Sequence, residues 1–185
     1  WPVREQIAAP TQPSSVAMAL RGGPDGGPVV AYLDTPTSSA VFRARNADGT
    51  WRSETVQSGL GTSGLFAANV ATRLVAVGID PAGVPVVVYP HLRSGNIELH
   101  LARRVGDGCG TGCASNLWSD CALAPLMLTP SSASLSFRLA FEPVSGRPAV
   151  VVWQRTPNGC GSAAFDSLTL YQQQANGSWS ATLVG

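Results

Sequence analysis

Hydrophobic and polar positions alternate in short runs along this chain, broken at intervals of roughly eight to twelve residues by Gly, Pro, Asn or Asp, which is the pattern of an all-β fold. The clearest run is Gly83-Val84-Pro85-Val86-Val87-Val88-Tyr89. It returns as Gly26-Gly27-Pro28-Val29-Val30-Ala31-Tyr32 and, less closely, as Gly146-Arg147-Pro148-Ala149-Val150-Val151-Val152-Trp153. A tight turn followed by β-branched residues and an aromatic predicts a short buried strand, and its return predicts an internal repeat. No window sustains a 3.6-residue period between helix caps, so helix is expected to be nearly absent.

Each copy reads alike around that run. A first strand, near residues 15–21, 73–79 and 135–142, is apolar on both faces, as expected of an innermost strand packed on either side. A Pro and Gly turn follows, then the Gly-x-Pro strand, whose Pro28, Pro85 and Pro148 stand where a missing N–H does least harm. The turn before Pro148 is one residue longer than the other two, and this insertion is taken to explain why Trp153 stands one place later than Tyr32 and Tyr89. Third strands are expected near 40–45, 96–103 and 167–173, and fourth strands begin at Trp51, Trp118 and Trp179. Asn46-Ala47-Asp48-Gly49-Thr50 and Asn176-Gly177-Ser178 precede two of those Trp as hairpin turns, because Asn, Asp and Gly tolerate positive φ. Each unit is therefore a four-stranded antiparallel meander: 9–57, 58–124 and 125–185, preceded by a lone outer strand at 1–8. Residues 58–71, 104–117 and 156–166 are the long connections.

The composition suits one globular portion: 185 residues, 44% hydrophobic, with 20 Gly and 14 Pro. Net charge is +1, twelve basic against eleven acidic residues, all scattered, so the basic patch that nucleic-acid binding requires is missing. No run is long and apolar enough to span a membrane, and no signal peptide opens the chain at Trp1; a signal was removed or the chain begins inside a longer precursor. Cys109, Cys113, Cys121 and Cys160 read first as disulfides in an oxidising compartment, which implies a secreted, extracellular or periplasmic protein. Of the three possible pairings, Cys109 with Cys113 and Cys121 with Cys160 is favoured. A four-thiolate zinc site is the alternative, against which stands spacing unlike the close pairs of structural zinc.

Four-stranded repeats about sixty residues apart, longer than the roughly 40–45 of the shortest propeller blades, with the Gly-x-Pro-hydrophobic-Tyr strand, resemble the blades of bacterial secreted β-propellers of the sialidase-like kind. The resemblance implies a partial β-propeller: three blades plus the outer strand 1–8. Propellers close with four to eight blades, so the ring is expected to be completed by a second copy, giving six blades, or by another chain. The likeness carries little about activity, because propellers host many functions. Sialidase-like proteins also carry Asp boxes, S-x-D-x-G-x-T-W; here Asn46-Ala47-Asp48-Gly49-Thr50-Trp51 is one residue short and lacks the leading Ser. Their chemistry needs an arginine cluster, a Tyr with a Glu partner and an acid Asp. With only Glu5, Glu54, Glu98 and Glu142 in the chain, that set cannot be assembled, nor can the carboxylate pair of a glycosidase.

The candidate binding residues lie at strand ends. Tyr32, Tyr89 and Trp153 form either an aromatic ring near one face of the disc, with Asp34, His91 and Arg155 beyond them, or simple packing between neighbouring sheets. Arg73 and Asp80 bracket the second unit's first strand and would line a central channel or make structural contacts. The turn at Ser94-Gly95 sets His91 opposite Glu98 and His100 opposite Tyr89, with the two His near one another but on opposite faces, so no metal site is expected. No cofactor fingerprint or Ser-His-Asp spacing appears. Asn176-Gly177-Ser178 is also a glycosylation sequon, meaningful only in a eukaryotic secretory pathway. The reading is a non-catalytic propeller module that binds protein or glycan through its loops. The alternatives are a hydrolase portion with a shared active site, or a structural assembly subunit.

Overall fold

The computed structural model describes residues 13–21, 26–61, 74–105, 117–126, 134–156 and 165–184. The expected outer strand at 1–8, Arg73, Cys109, Cys113, Cys160 and most of the three long connections lie outside the described residues.

Twelve strands form three antiparallel sheets of four, each in simple sequence order. Sheet 1 is β1 (Pro13–Leu20), β2 (Pro28–Asp34), β3 (Ser39–Arg45) and β4 (Trp51–Gln57). Sheet 2 is β5 (Ala76–Ile79), β6 (Pro85–Arg93), β7 (Asn96–Arg104) and β8 (Trp118–Leu126). Sheet 3 is β9 (Ser134–Phe141), β10 (Pro148–Thr156), β11 (Phe165–Gln173) and β12 (Trp179–Leu183). No helix forms among the described residues. The threefold meander and its element order follow the sequence repeat, since short apolar runs joined by tight turns can satisfy their backbone groups only against the next run.

The turns close with the chemistry their residues supply. Asp48 Oδ1 accepts from the Thr50 backbone N–H (2.9 Å) and hydroxyl (2.6 Å), and Asn176 Oδ1 accepts in the same way from Ser178 (3.0 and 2.7 Å). Gly49 and Gly177 take φ of 86° and 82°, a left-handed geometry that a Cβ would oppose. The extra residue of the third copy is absorbed inside its turn. Gly83 N–H reaches back to the Asp80 carbonyl, whereas Gly146 N–H reaches back one residue further, to the Glu142 carbonyl, both at 2.9 Å.

The sheets stand in an open series, sheet 2 between sheets 1 and 3, and their first strands meet. One hydrophobic core runs through both joints. Between sheets 1 and 2, Phe42 packs edge-on against the fully buried Trp118, with ring centroids 5.2 Å apart. Leu60 ties the same two sheets by backbone: its N–H donates to Ser38 of sheet 1 (2.9 Å) and its carbonyl accepts from Leu92 of sheet 2 (2.8 Å). Between sheets 2 and 3, Gly78 leaves room for Phe141 and Leu139; a Cβ there would meet them at 2.7 and 3.2 Å.

Both outer faces of the series are apolar. On sheet 1 the face turned away from sheet 2 carries Val16, Met18 and Leu20, respectively 55%, 66% and 71% exposed. On sheet 3, strand alternation sets Val151, Trp153, Leu168 and Leu170 on the face opposite the buried Val150 and Val152. Among the described residues the three sheets do not close into a ring.

Replacing Gly78 by Val forces branched carbons into the Phe141 ring, and the expected loss is about 1–3 kcal/mol in urea unfolding. A change below about 0.5 kcal/mol would show that sheets 2 and 3 do not meet closely at this position.

Candidate functional site

A polar network inside the first joint is the chemistry the strands bring together. Tyr89 and His91 are on β6, Glu98 and His100 on β7, Asp120 on β8. Cross-strand register places Tyr89 opposite His100 and His91 opposite Glu98. Residues directly opposed in an antiparallel pair share a face, and i and i+2 on one strand share it too. The expectation that His91 and His100 lie on opposite faces is therefore corrected: both point toward sheet 1, their ring centroids 5.0 Å apart.

His100 is 3% exposed and sits between two carboxylates, with Nδ1 2.9 Å from Asp120 Oδ2 and Nε2 3.1 Å from Glu98 Oε2. Burial by itself would lower its pKa. The hydrogen bond and charge of Asp120, joined by those of Glu98, outweigh burial and set it above the ordinary histidine value. The Tyr89 hydroxyl donates to Asp120 Oδ1 at 2.8 Å, and burial followed by the Asp120 charge holds the phenol protonated, far above its usual range. His91 is 7% exposed, and its Nδ1 has no hydrogen-bond partner among the described residues. Its pKa is lowered, first by burial and then by His100.

At the other end of the same joint, Glu54 of β4 is buried and gathers three donors from two sheets. Trp118 Nε1 donates to Oε2 (3.1 Å), Arg104 Nε lies 3.0 Å from Oε2, and Arg52 Nε lies 2.9 Å from Oε1. This is a structural use of a carboxylate. Glu98 serves His100, and Glu142 serves Arg147 and Ser145 within the lengthened turn.

The sequence-chosen residues divide between these settings. Tyr89 and His91 belong to the network. Tyr32 is buried on the face of sheet 1 turned away from sheet 2, with the Arg43 guanidinium 5.9 Å from its ring centre. Asp34, also buried, accepts from the Thr37 hydroxyl. Asp80 is buried and structural: it accepts from the Val84 N–H at 2.8 Å and pairs with Arg103. Arg155 stands in β10 opposite Asp166 and Ser134. Trp153 does not share a face with the tyrosines. Counted from its Pro it is the fifth residue rather than the fourth, so Val152 takes the tyrosine position and Trp153 points to the other side. The insertion does not account for this, because it is taken up before Pro148. Cys121 is an exposed thiol on β8 with no disulfide to a described residue.

Where the three first strands meet, Val16–Met18, Val75–Val77 and Phe137–Leu139 line a cleft of about 330 Å³, with Arg138 its one charged side chain. Arg138, an exposed residue, donates one N–H to the Phe137 carbonyl (3.0 Å). Among the described residues no group of three or more His, Cys, Asp or Glu is arranged to hold a metal ion. Glu54, Asp120 and Arg138 were not singled out in the sequence. The parity of the His91–Ser94-Gly95–His100 hairpin was a signal for the shared histidine face, but Asp120 lies past a bulge at Leu99/His100 that no residue pattern announces. No family model matches the chain, and no curated protein matches it.

Glu54→Ala leaves the Trp118 N–H and the Arg104 guanidinium without their acceptor, and the expected cost is about 3 kcal/mol by denaturant unfolding. Tyr89→Phe, which removes one buried hydrogen bond and keeps the ring, is expected to cost about 1–2 kcal/mol. If the Tyr89 change proved the larger of the two, Glu54 would not be the stronger tie of this joint.

Proposed function

We propose that the chain is a portion of a secreted β-propeller that acts without catalysis, binding a protein or glycan through loops held by rigid blades, its ring completed by a second copy or by another chain. One observation carries the reading. On the faces turned away from sheet 2, sheet 1 keeps Val16, Met18 and Leu20 exposed on its first strand and sheet 3 keeps Val151, Trp153 and Leu168 half-buried, with no described sheet packed over either.

Strand parity gives these faces a direction. At each internal joint, the face carrying the tyrosine position (Tyr89 in sheet 2, Val152 in sheet 3) meets the preceding sheet's opposite face. Among the described residues no sheet packs on the Tyr32 face of sheet 1 or on the Trp153 face of sheet 3, so a further sheet could be added at either end by the same rule. Repetition of one joint in one sense is a heterologous contact, which makes a ring when the rotation closes. The likeness to sialidase-like blades supports the same architecture without implying their activity. In favour of a non-catalytic module is the employment of the described carboxylates in turns, ion pairs and the inter-sheet network.

Native mass spectrometry is expected to find an assembly of at least twice the chain mass, and Met18→Glu, on the face of sheet 1 turned away from sheet 2, is expected to return it to the monomer. A wild-type monomer that binds no hydrophobic dye would mean the apolar faces are covered within the chain and would sink ring completion. Binding is checked on a glycan array with the complete assembly. Turnover of fluorogenic sialosides or hexosides by that assembly would overturn the non-catalytic reading.

A further inference from the structure

We propose that the joint between sheets 1 and 2 is proton-sensitive, with His100 charged and His91 neutral holding it shut, and that acidification loosens it by adding a second charge at His91. The inference stands on the geometry of the joint and not on the ring.

Proton counting leads to it. A neutral imidazole has one N–H, yet His100 faces a carboxylate at each ring nitrogen, Asp120 at 2.9 Å and Glu98 at 3.1 Å. Only the imidazolium donates to both, and a neutral His100 would leave one carboxylate oxygen facing a lone pair. A single proton at His100 therefore satisfies three groups, while the Tyr89 hydroxyl fills the remaining side of Asp120.

His91 is the opposite case. Its ring lies 5.0 Å from His100, it is nearly as deeply buried, and its Nδ1 has no acceptor among the described residues. A second proton would put two like charges side by side in an inter-sheet space, where burial and repulsion add. The charged groups that reach His91 are His100, Arg93, Asp120 and Glu98. Both carboxylates are already bonded to His100. Sheet 1, packed over this face, has its buried carboxylate Glu54 engaged at the far end with Trp118, Arg104 and Arg52. Next to His91, Leu92 donates the backbone hydrogen bond to Leu60 that ties the two sheets, so strain at His91 falls on that tie.

The two histidines act in opposite directions on stability. His100, with its folded pKa raised, stabilises fully below the ordinary histidine value, and this contribution is lost as pH rises through its own higher pKa. His91, with its folded pKa lowered, stabilises above the ordinary value, and this contribution is lost as pH falls from there toward its own lower pKa. Stability should peak near the ordinary histidine value, about 6.5, and decline on both sides.

The experiment is hydrogen exchange on the intact chain between pH 5 and pH 8, with NMR titration of the two imidazoles in the same samples. The protection factor of the Leu92 amide is expected to fall about tenfold from pH 6.5 to pH 5 for each unit by which His91 is displaced. His91→Gln should abolish that acid limb and His100→Gln the alkaline one. If a variant fails to fold, the wild-type titrations decide: His100 above and His91 below the ordinary value support the proposal. Two imidazoles titrating together near 6.5, or protection at Leu92 that does not change across the window, would overturn it.

Discussion

A sheet that is apolar on both faces cannot stand alone in water, and this constraint governs the molecule. β2, β6 and β10 put hydrophobic side chains on both sides of their sheets, so each sheet must be covered twice. Burial of apolar area contributes roughly 25 cal/mol per Å², which drives the sheets into a face-to-face series. At the two ends no described sheet supplies the second cover, and Val16, Met18 and Leu20 on the first strand of sheet 1 stand exposed.

Hydrophobic contact is non-directional, and the joints need something to set their registration. In the first joint this comes from polar groups at both ends of the same face. Glu54 draws Trp118, Arg104 and Arg52 to one point, and Asp120 draws Tyr89 and His100 to another. Between them lies apolar packing such as Phe42 on Trp118. A buried carboxylate without partners would be costly, so each such group tolerates few arrangements of the sheets around it. The second joint has a different device: Gly78, whose missing side chain admits the Phe141 ring and lets the first strands approach. A joint registered by ionisable groups responds to protons, and one registered by shape does not.

Much of the fold was legible in the residues because its signals are local. Gly-x-Pro followed by β-branched residues marks a turn and a strand within seven residues, and Asn46–Thr50 and Asn176–Ser178 announce hairpins by side chains that bond their own backbone two residues on. Strand boundaries fell close to expectation for the same reason. The site was less legible. The pairing that sets His91 against Glu98 and His100 against Tyr89 already requires one face for both histidines, against the expectation of opposite faces. Trp153 matches the tyrosines in aromatic type, but its distance from Pro148 sets it on the other face. Asp120 was out of reach, since its position depends on a bulge and follows a connection whose length masks the register.

What the sequence alone determined is therefore the unit: four antiparallel strands, repeated three times, with turns closed by Gly, Asn, Asp and Pro, because those choices rest on φ preferences and hydrogen bonds between near neighbours in the chain. What only the tertiary structure decided is the partnership of groups distant in sequence. Glu54 meets Trp118, and Asp120 meets Tyr89 and His100. Whether a carboxylate is a turn residue, an ion-pair partner or the acceptor for a buried histidine depends on which strands and sheets lie against it, and that is settled by burial across a joint, to which the local pattern of residues is blind.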